Sequence, residues 1–351
     1  MNPTHVSLEA IADWDNLASA AWRASAGKRG RYEVRSFLAN LLPNLSELRR
    51  DILDGTVSIG QGRAFWIRDP KPRLITAACF RERVLQHALM WHVGPLLERA
   101  LVADTFACLT GRGTGAAVRR TQEHVRRFPW YAKMDVRKYF ASIDHDVLRK
   151  LLRRRLKGAG MLELVDRIID AYGDGNGRGL PIGALTSQWF ANYYLGPLDR
   201  FLLERRRVAG MVRYMDDFVF WGATRDEVRS CADGVDEFLN QTLNLKSRPP
   251  TLINRSSHGV TVCGYRVFPG TIQLSRTRRD RFAQALMHWE SEWLSERISS
   301  LELQRRIDAT LGMTVDADAR NWIGECVHRR SRSDVIERLD AIKIRISHDD
   351  E

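Results

Sequence analysis

Two adjacent carboxylates constrain this chain most: Asp216 and Asp217 in the tetrapeptide Tyr214-Met215-Asp216-Asp217, set between the short runs Met211-Val212-Arg213 and Phe218-Val219-Phe220-Trp221. Strand-forming runs joined by so short a link predict a β-hairpin with the acids at its turn. Neighbouring acids on a tight turn repel one another, so such a hairpin suits a cation, and oxygen ligands point to Mg²⁺. By itself the pair fits a solvated surface turn equally well.

A second segment tips that balance. Trp130-Tyr131-Ala132-Lys133-Met134-Asp135-Val136 is a strand-like run ending in an acid, followed by Arg137-Lys138-Tyr139-Phe140. A strand-end Asp beside a hairpin Asp pair is the arrangement that holds two divalent ions for in-line phosphoryl transfer.

The charge balance suits a polyanionic partner: 55 Lys plus Arg against 43 Asp plus Glu give a net charge of +12 in 351 residues. The basic residues cluster at Arg149, Lys150, Arg153, Arg154, Arg155 and Lys157, at Arg205 to Arg207, and at Arg276, Arg278, Arg279 and Arg281. Contact with phosphates along a groove is the preferred reading of these blocks, a solvated face the alternative. Cys79, Cys108, Cys231, Cys263 and Cys326 are scattered without Cys-x-x-Cys spacing, which argues against a zinc site or disulfide framework and fits a reducing cytoplasm. No charged and apolar leader opens the chain and no apolar run approaches membrane-spanning length, so a soluble cytoplasmic protein without membrane partners is expected. Gly111-Arg112-Gly113-Thr114-Gly115 lacks the Lys-Ser/Thr of a phosphate loop.

The motifs resemble those of the reverse transcriptases. Tyr214 to Asp217 is similar to their signature hairpin, and Lys133 to His145 to their first palm motif. Lys71-Pro72-Arg73-Leu74-Ile75 with Arg81 to His87 resembles the fingers motif that grips the incoming triphosphate, with Glu82 where the family often has Asp. Cys263-Gly264-Tyr265-Arg266-Val267-Phe268 resembles the primer-grip hairpin. In the palm-helix motif most members carry Gln-Gly, three residues and Ser-Pro, whereas this chain reads Ile182-Gly183-Ala184-Leu185-Thr186-Ser187-Gln188. The paired change to Ile182 and Gln188 is similar to the reverse transcriptases of diversity-generating retroelements, a bacterial and phage-encoded group.

The resemblance implies an α+β right-hand polymerase with fingers, a ferredoxin-like palm and a helical thumb. The expected segments are an N-terminal helical extension over 1–60, fingers over 61–127, palm over 128–146, a fingers/palm insertion over 147–180, further palm with the primer grip over 181–272, and a thumb over 273–351. Periodicity agrees with helices to about residue 60, through Trp14, Leu17, Trp22, Phe37, Leu41 and Leu48, and from Ser275, where Phe282, Leu286, Trp289 and Trp293 form one stripe. Asp144 is read as the N-cap of a helix running to about Lys157. Pro181 suits the first turn of the palm helix, which would place Gly183 and Ser187 on one face. The element order brings Asp135 and Asp216 onto neighbouring strands.

The implied roles follow. Asp135, Asp216 and Asp217 are catalytic, and Asp135, Asp216 and the Val136 carbonyl hold two Mg²⁺ ions, for which Mn²⁺ can substitute. Lys71 and Arg73 clamp the triphosphate, Phe140 is the ribose gate, Ile182 and Gln188 meet the nascent base pair, and Gly264 and Tyr265 grip the primer. Lys246 lies too early for the general acid that other members carry. Implied partners are a template-repeat RNA, the cDNA/RNA duplex, dNTPs and a small basic accessory variability protein, with errors concentrated opposite template adenines. The alternatives are another bacterial reverse transcriptase, of retron or phage-defence type, and a non-catalytic RNA-binding scaffold on the same fold.

Overall fold

A computed structural model describes residues 3–68, 72–172 and 175–330, the last four without side chains. Lys71 lies outside the described residues, as do 331–351 of the expected thumb. The chain begins with β1 (Thr4–His5) and helices α1 (Leu8–Ile11), α2 (Trp14–Ser25), α3 (Tyr32–Ala39) and α4 (Leu41–Leu53). Asp13 starts α2 by accepting from the N–H groups of Asp15 and Asn16 at 3.0 and 3.2 Å. Leu17, Phe37 and Leu48 are buried, whereas Trp14 and Trp22 stay exposed beside arginines.

An antiparallel pair follows, β2 (Arg63–Arg68) and β3 (Pro72–Ala77), then α5 (Phe80–Glu98), α6 (Thr114–Arg127) and β4 (Trp130–Asp135). Next come α7 (Tyr139–Ser142), α8 (His145–Arg153), β5 (Leu156–Lys157), α9 (Ala159–Asp170), α10 (Leu185–Tyr194) and α11 (Gly196–Arg200), which runs on as a π-helical turn over Phe201–Arg205. The hairpin is β6 (Gly210–Tyr214) and β7 (Asp217–Gly222), followed by α12 (Arg225–Leu243) and β8 (Leu252–Arg255). Strands β9 (Val260–Val262), β10 (Tyr265–Val267) and β11 (Ile272–Leu274) and helices α13 (Arg276–Leu294), α14 (Ser300–Leu311) and α15 (Arg320–Arg330) complete the described chain. None of the described helices is long and apolar enough to cross a membrane.

These elements form two compact units. One comprises Met1–Gly113 and Ala132–Ile253, the other Thr114–Tyr131 and Asn254–Glu351. The first is built around the sheet of order β6-β7-β4-β8. Strand, helices, two strands, helix, strand is its chain order, and it sets β4 against β7. Phe218, Val219, Phe220 and Trp221 are all buried, so β7 is covered on both faces, with α12 packed against it. Burial of successive residues explains why this strand reads as a continuous apolar run rather than an alternating one.

In the second unit, β11-β10-β9 form a small sheet whose Tyr265, Val267 and Leu274 pack with Val118 of α6 and Ala319. Phe282 and Ala283 of α13 join Cys326 of α15, with Leu286 and Leu311 against them. Ser275 caps α13 by accepting from the Arg278 N–H at 3.3 Å.

Three sequence expectations change. Asp144 does cap its helix, accepting from the N–H groups of Asp146 and Val147 at 3.1 Å. The helix stops at Arg153, however, because Leu156–Lys157 leaves to pair with Thr4–His5, and the Arg155 carbonyl accepts from the Thr4 N–H at 2.8 Å. Helix α10 starts at Leu185, not at Pro181, and Gly183 lies in the loop before it. Its φ of +116° is open to glycine and costly for other residues. A Cβ there would sit 2.9 Å from both the Thr76 carbonyl oxygen and Ile75 Cγ2. Gly183 and Ser187 therefore share no helix face. Much of the clustered basic charge is also spent within the protein. Arg149 pairs with Asp146, Asp166 and Asp170, Arg153 pairs with Asp166, and Arg278 lies 4.2 Å over the Tyr265 ring.

Candidate active site

The β6–β7 hairpin closes at the pair Tyr214↔Asp217, leaving Met215 and Asp216 as its two-residue loop. Met215 has a φ of +59°, the positive value that two-residue hairpin loops demand. Such a residue needs support, and it comes from beneath. Arg213 donates from Nη1 to the Met215 carbonyl at 2.9 Å and to Asn192 Oδ1 at 2.9 Å. Its Nε and Nη2 each meet a carboxylate oxygen of Asp199 at 2.6 Å, and Nη2 also reaches the Asn192 carbonyl at 3.1 Å. Thr105 donates to Asp199 Oδ2 at 3.0 Å. Both charged side chains are 0% exposed. A buried ion pair of this kind holds only when its hydrogen-bonding capacity is filled, as it is here, and the result is a turn fixed to α10, α11 and the Asp104–Phe106 segment.

Asp135 ends β4, the neighbour of β7. Its carboxylate is 39% exposed and lies 3.5 Å from Arg248 Nη1. The backbone beyond it pairs with the approach to β8: the Arg248 N–H donates to the Asp135 carbonyl at 2.8 Å, and the Arg137 N–H to the Lys246 carbonyl at 2.9 Å. Those two bonds flank the bridge Val136↔Ser247 and leave the Val136 carbonyl out of the ladder.

The three acids differ in their surroundings. Burial raises Asp216 to about 6, Asp135 and then Asp217 push in the same direction, and Arg73 of β3 pulls against them. Burial also raises Asp217, but the Lys133 ammonium opposes it from 2.7 Å at Oδ2. Asp217 Oδ1 is buried with no hydrogen-bond partner among the described residues. A cation thus acts on each acid, Lys133 on Asp217, Arg248 on Asp135 and Arg73 on Asp216, and the repulsion between like charges falls on Asp216 from Asp135.

A divalent ion fits this donor set. Among the described residues no three His, Cys, Asp or Glu side chains converge on one point. Mg²⁺ does not require such a cage: it is ordinarily held by one or two carboxylates, water and substrate phosphate. Two carboxylates and a carbonyl outside the ladder are oxygen donors of that kind.

The other expected residues fall as follows. Arg73 is exposed on β3 and acts electrostatically on Asp216. Phe140 is half-buried in α7, edge-on to Tyr139 with ring centroids 5.8 Å apart. Ile182 is half-buried, and its carbonyl accepts from the Thr76 N–H of β3 at 2.8 Å, so the loop before α10 is stitched to the strand that carries Arg73. Gln188 is half-buried at the end of the first turn of α10. Gly264 and Tyr265 belong to the second unit. There Cys263 and Gly264, both at positive φ, turn β9 into β10, and the buried Tyr265 donates to the Met313 carbonyl at 3.2 Å.

Several residues escaped the sequence reading. Lys133 was visible in principle, being two residues before Asp135 and so on the same face of the strand. Arg213, Asn192 and Asp199 carried no signal beyond a charged residue inside an apolar run. Glu82 and Gln86, which the sequence placed in the fingers motif, form a buried hydrogen-bonded set that the motif did not foretell. The buried Glu82 accepts from the Tyr172 hydroxyl at 2.7 and 2.8 Å and from the Gly60 N–H at 3.1 Å. Gln86 donates to Glu82 at 3.1 Å and accepts from the Leu185 N–H at 3.0 Å. Helix α10 has no side-chain cap at Ala184, and Gln86 of α5 supplies that acceptor from a distance.

The comparisons agree with the motifs. The family model described as reverse transcriptase (RNA-dependent DNA polymerase) matches residues 68–249. Protein YkfC of Escherichia coli (strain K12) is 26% identical over 207 residues, covering 55% of this chain and 54% of that protein. The group II intron-encoded protein LtrA of Lactococcus lactis is 22% identical over 169 residues, covering 46% of this chain and 28% of that one. The chain thus spans about half the length of the first relative and less of the second. Among solved structures, telomerase from Candida Tropicalis in complex with a fragment of telomeric RNA gives a TM-score of 0.47 at 13% identity, over 85% of this chain and 60% of that one. With more than half of its 351 residues matched by the family model, the chain belongs to the reverse transcriptase (RNA-dependent DNA polymerase) family.

Proposed function

We propose that the protein is an RNA-directed DNA polymerase of the diversity-generating-retroelement type, copying a template-repeat RNA into cDNA with errors opposite template adenines. The observation that carries the polymerase reading is the coupling of Asp216 to Asp135, with the Asp216 carboxyl raised to about 6 by burial and by that neighbour. A scaffold would have no use for an acid in a hairpin turn set against a second acid at the end of the neighbouring strand. The finer assignment rests on Ile182 and Gln188 in the palm-helix motif.

In this reading the fingers span 61–127, the palm 128–146 and 181–272 with the primer grip, and α13–α15 belong to the thumb. Asp135, Asp216 and the Val136 carbonyl hold Mg²⁺, with Mn²⁺ as a substitute. When bound, the ions lower the pKa of the primer 3′-hydroxyl and neutralise triphosphate charge. Asp217, held by Lys133, supports the negative field without facing the ions directly. Arg73, with Lys71, receives the triphosphate and offsets charge on the departing pyrophosphate. Phe140 limits space at the ribose 2′ position, and Gly264 and Tyr265 grip the primer. Ile182 offers the nascent base pair no hydrogen bond where a Gln would, which relaxes discrimination. A small basic accessory protein completes the working assembly in the bacterial cytoplasm.

An intron- or retron-type polymerase is the second reading, favoured by the likeness to the group II intron-encoded protein. Sequencing the cDNA made on a primed RNA separates the two. Errors gathered opposite template adenines support the retroelement type, and faithful product supports the second.

A further inference from the structure

Helix α8 ends in a run of arginines whose two halves have different fates. Arg149 and Arg153 are neutralised by Asp166 and Asp170 of α9. Arg154 and Arg155, one position further on, turn away from those acids. With Arg200 of α11 they surround a cavity of about 180 Å³, reached also by Tyr193 of α10. Among the described residues no ion pair is made by any of these three arginines.

The cavity is built rather than incidental. Arg200 is held by donating to the Ala100 carbonyl, and the Tyr193 hydroxyl donates to the Leu151 carbonyl at 3.1 Å. Arg155 and Arg200 are half-buried and Tyr193 is 6% exposed. Burial pushes the Tyr193 hydroxyl up and the positive charges of Arg155, Arg200 and Arg154 pull it down, in keeping with three arginines lining one cavity. Like charges gathered without a counter-ion repel one another unless an anion joins them.

We propose that this cavity is a phosphate-binding site that takes a phosphate group of a nucleic-acid strand, at a place in the chain separate from the Asp135–Asp216 pair. Guanidinium forks match phosphate oxygens two at a time, which favours phosphate over a halide or a single carboxylate. The volume equals that of roughly six waters, room for one phosphate group and its hydration but not for a whole nucleotide with its base. The base and sugar therefore stay outside, and the site reads charge without sequence. It anchors an RNA strand while the template moves through the catalytic site. This inference rests on the RNA-copying reading for the identity of the strand, which supplies the phosphate either as an internal diester or as a terminal monoester.

The test is the salt dependence of binding of a short single-stranded RNA, made with a 5′-phosphate and with a 5′-hydroxyl, to the full chain. The slope of log K against log salt falls by about 0.7 for each phosphate no longer neutralised, so with one phosphate in the cavity R154Q/R155Q should lower it by about 0.7 between roughly 50 and 200 mM salt. R153Q, which removes an arginine already paired, should leave the slope as in the wild type. A change seen with both RNAs assigns the cavity to a backbone diester, and a change confined to the 5′-phosphorylated RNA assigns it to a terminal monoester; both support the site. Equal slopes for wild type, R153Q and R154Q/R155Q on both RNAs overturn it. Should the double variant not fold, R154Q alone, with its exposed side chain, carries the same test with a smaller drop in slope. Because this readout needs no polymerisation, wild-type protein that makes no cDNA yet shows the slope difference would overturn only the polymerase reading.

Discussion

Lys133 and Asp217 are joined by an ion pair, 2.7 Å from Nζ to Oδ2, between the two central strands of the sheet. The pair gives Asp217 surroundings unlike those of the other two acids. Asp217 is ion-paired with Lys133, whereas burial and Asp135 raise Asp216, in the loop one residue earlier, to about 6 against the pull of Arg73. The neighbouring carboxylates of the hairpin therefore sit in different electrostatic surroundings, one against an ammonium group and the other against a second acid.

Replacing Lys133 by Met should raise Asp217 further and add uncompensated charge beside Asp135 and Asp216. The pair is intermediate between an exposed and a buried one, so the expected loss of stability is roughly 1–2 kcal/mol. Urea denaturation measures it, and the acid limb of the pH–rate profile for primer extension should move to higher pH. An unchanged profile would show that Lys133 does not set the charge of the site.

The state of Asp216 makes a second prediction, in metal-free buffer. Its folded pKa, about 6, lies above the ordinary value of 3.8, so the folded protein binds the proton more tightly and stability falls as pH rises through that interval. Above pH 6 the full penalty is present; below about 4 it is absent. Asp216→Asn should therefore be more stable than wild type at pH 7, by on the order of 2 kcal/mol, and no more stable near pH 4. A gain independent of pH would contradict the assignment.

Arg213→Met should cost about 3–5 kcal/mol, because it strands the Asp199 carboxylate in a site with no exposure and frees the Met215 carbonyl. Adding Asp199→Leu should restore part of that stability while leaving polymerisation impaired, since an apolar pair cannot hold the hairpin loop by hydrogen bonds. Full recovery of activity in the double variant would show that the network is not needed to position Asp216.

Ile182→Gln tests the link between the palm-helix motif and error. The backbone bond from the Thr76 N–H to the residue 182 carbonyl survives this change, so the loop should keep its shape. Misincorporation opposite template adenines should fall severalfold while errors opposite other bases change little. Equal adenine error in both proteins would remove Ile182 from the explanation.

Local pattern made part of this structure legible. The hairpin at Asp216, the strand ending at Asp135 and the cap at Asp144 each depend on residues close in sequence, where periodicity and turn chemistry act. The end of α8 did not, because the competing partner of Leu156–Lys157 is Thr4–His5, about 150 residues away. Gly183 was misplaced for a similar reason: its conformation answers to Ile75 and Thr76, not to the helix that follows. Arg213 was hidden in plain view, since a strand pattern cannot say that a charged residue is buried opposite Asp199. The two acids and their nearness were readable; the cations and amides that give each acid its own state were not.

The most direct measurement of the central claim is cDNA synthesis by the purified protein on a primed RNA template with Mg²⁺, wild type beside Asp216→Ala. The expected result is extension by the wild type and none by the variant. Extension of equal yield from both proteins would contradict the role given to Asp216 and Asp135.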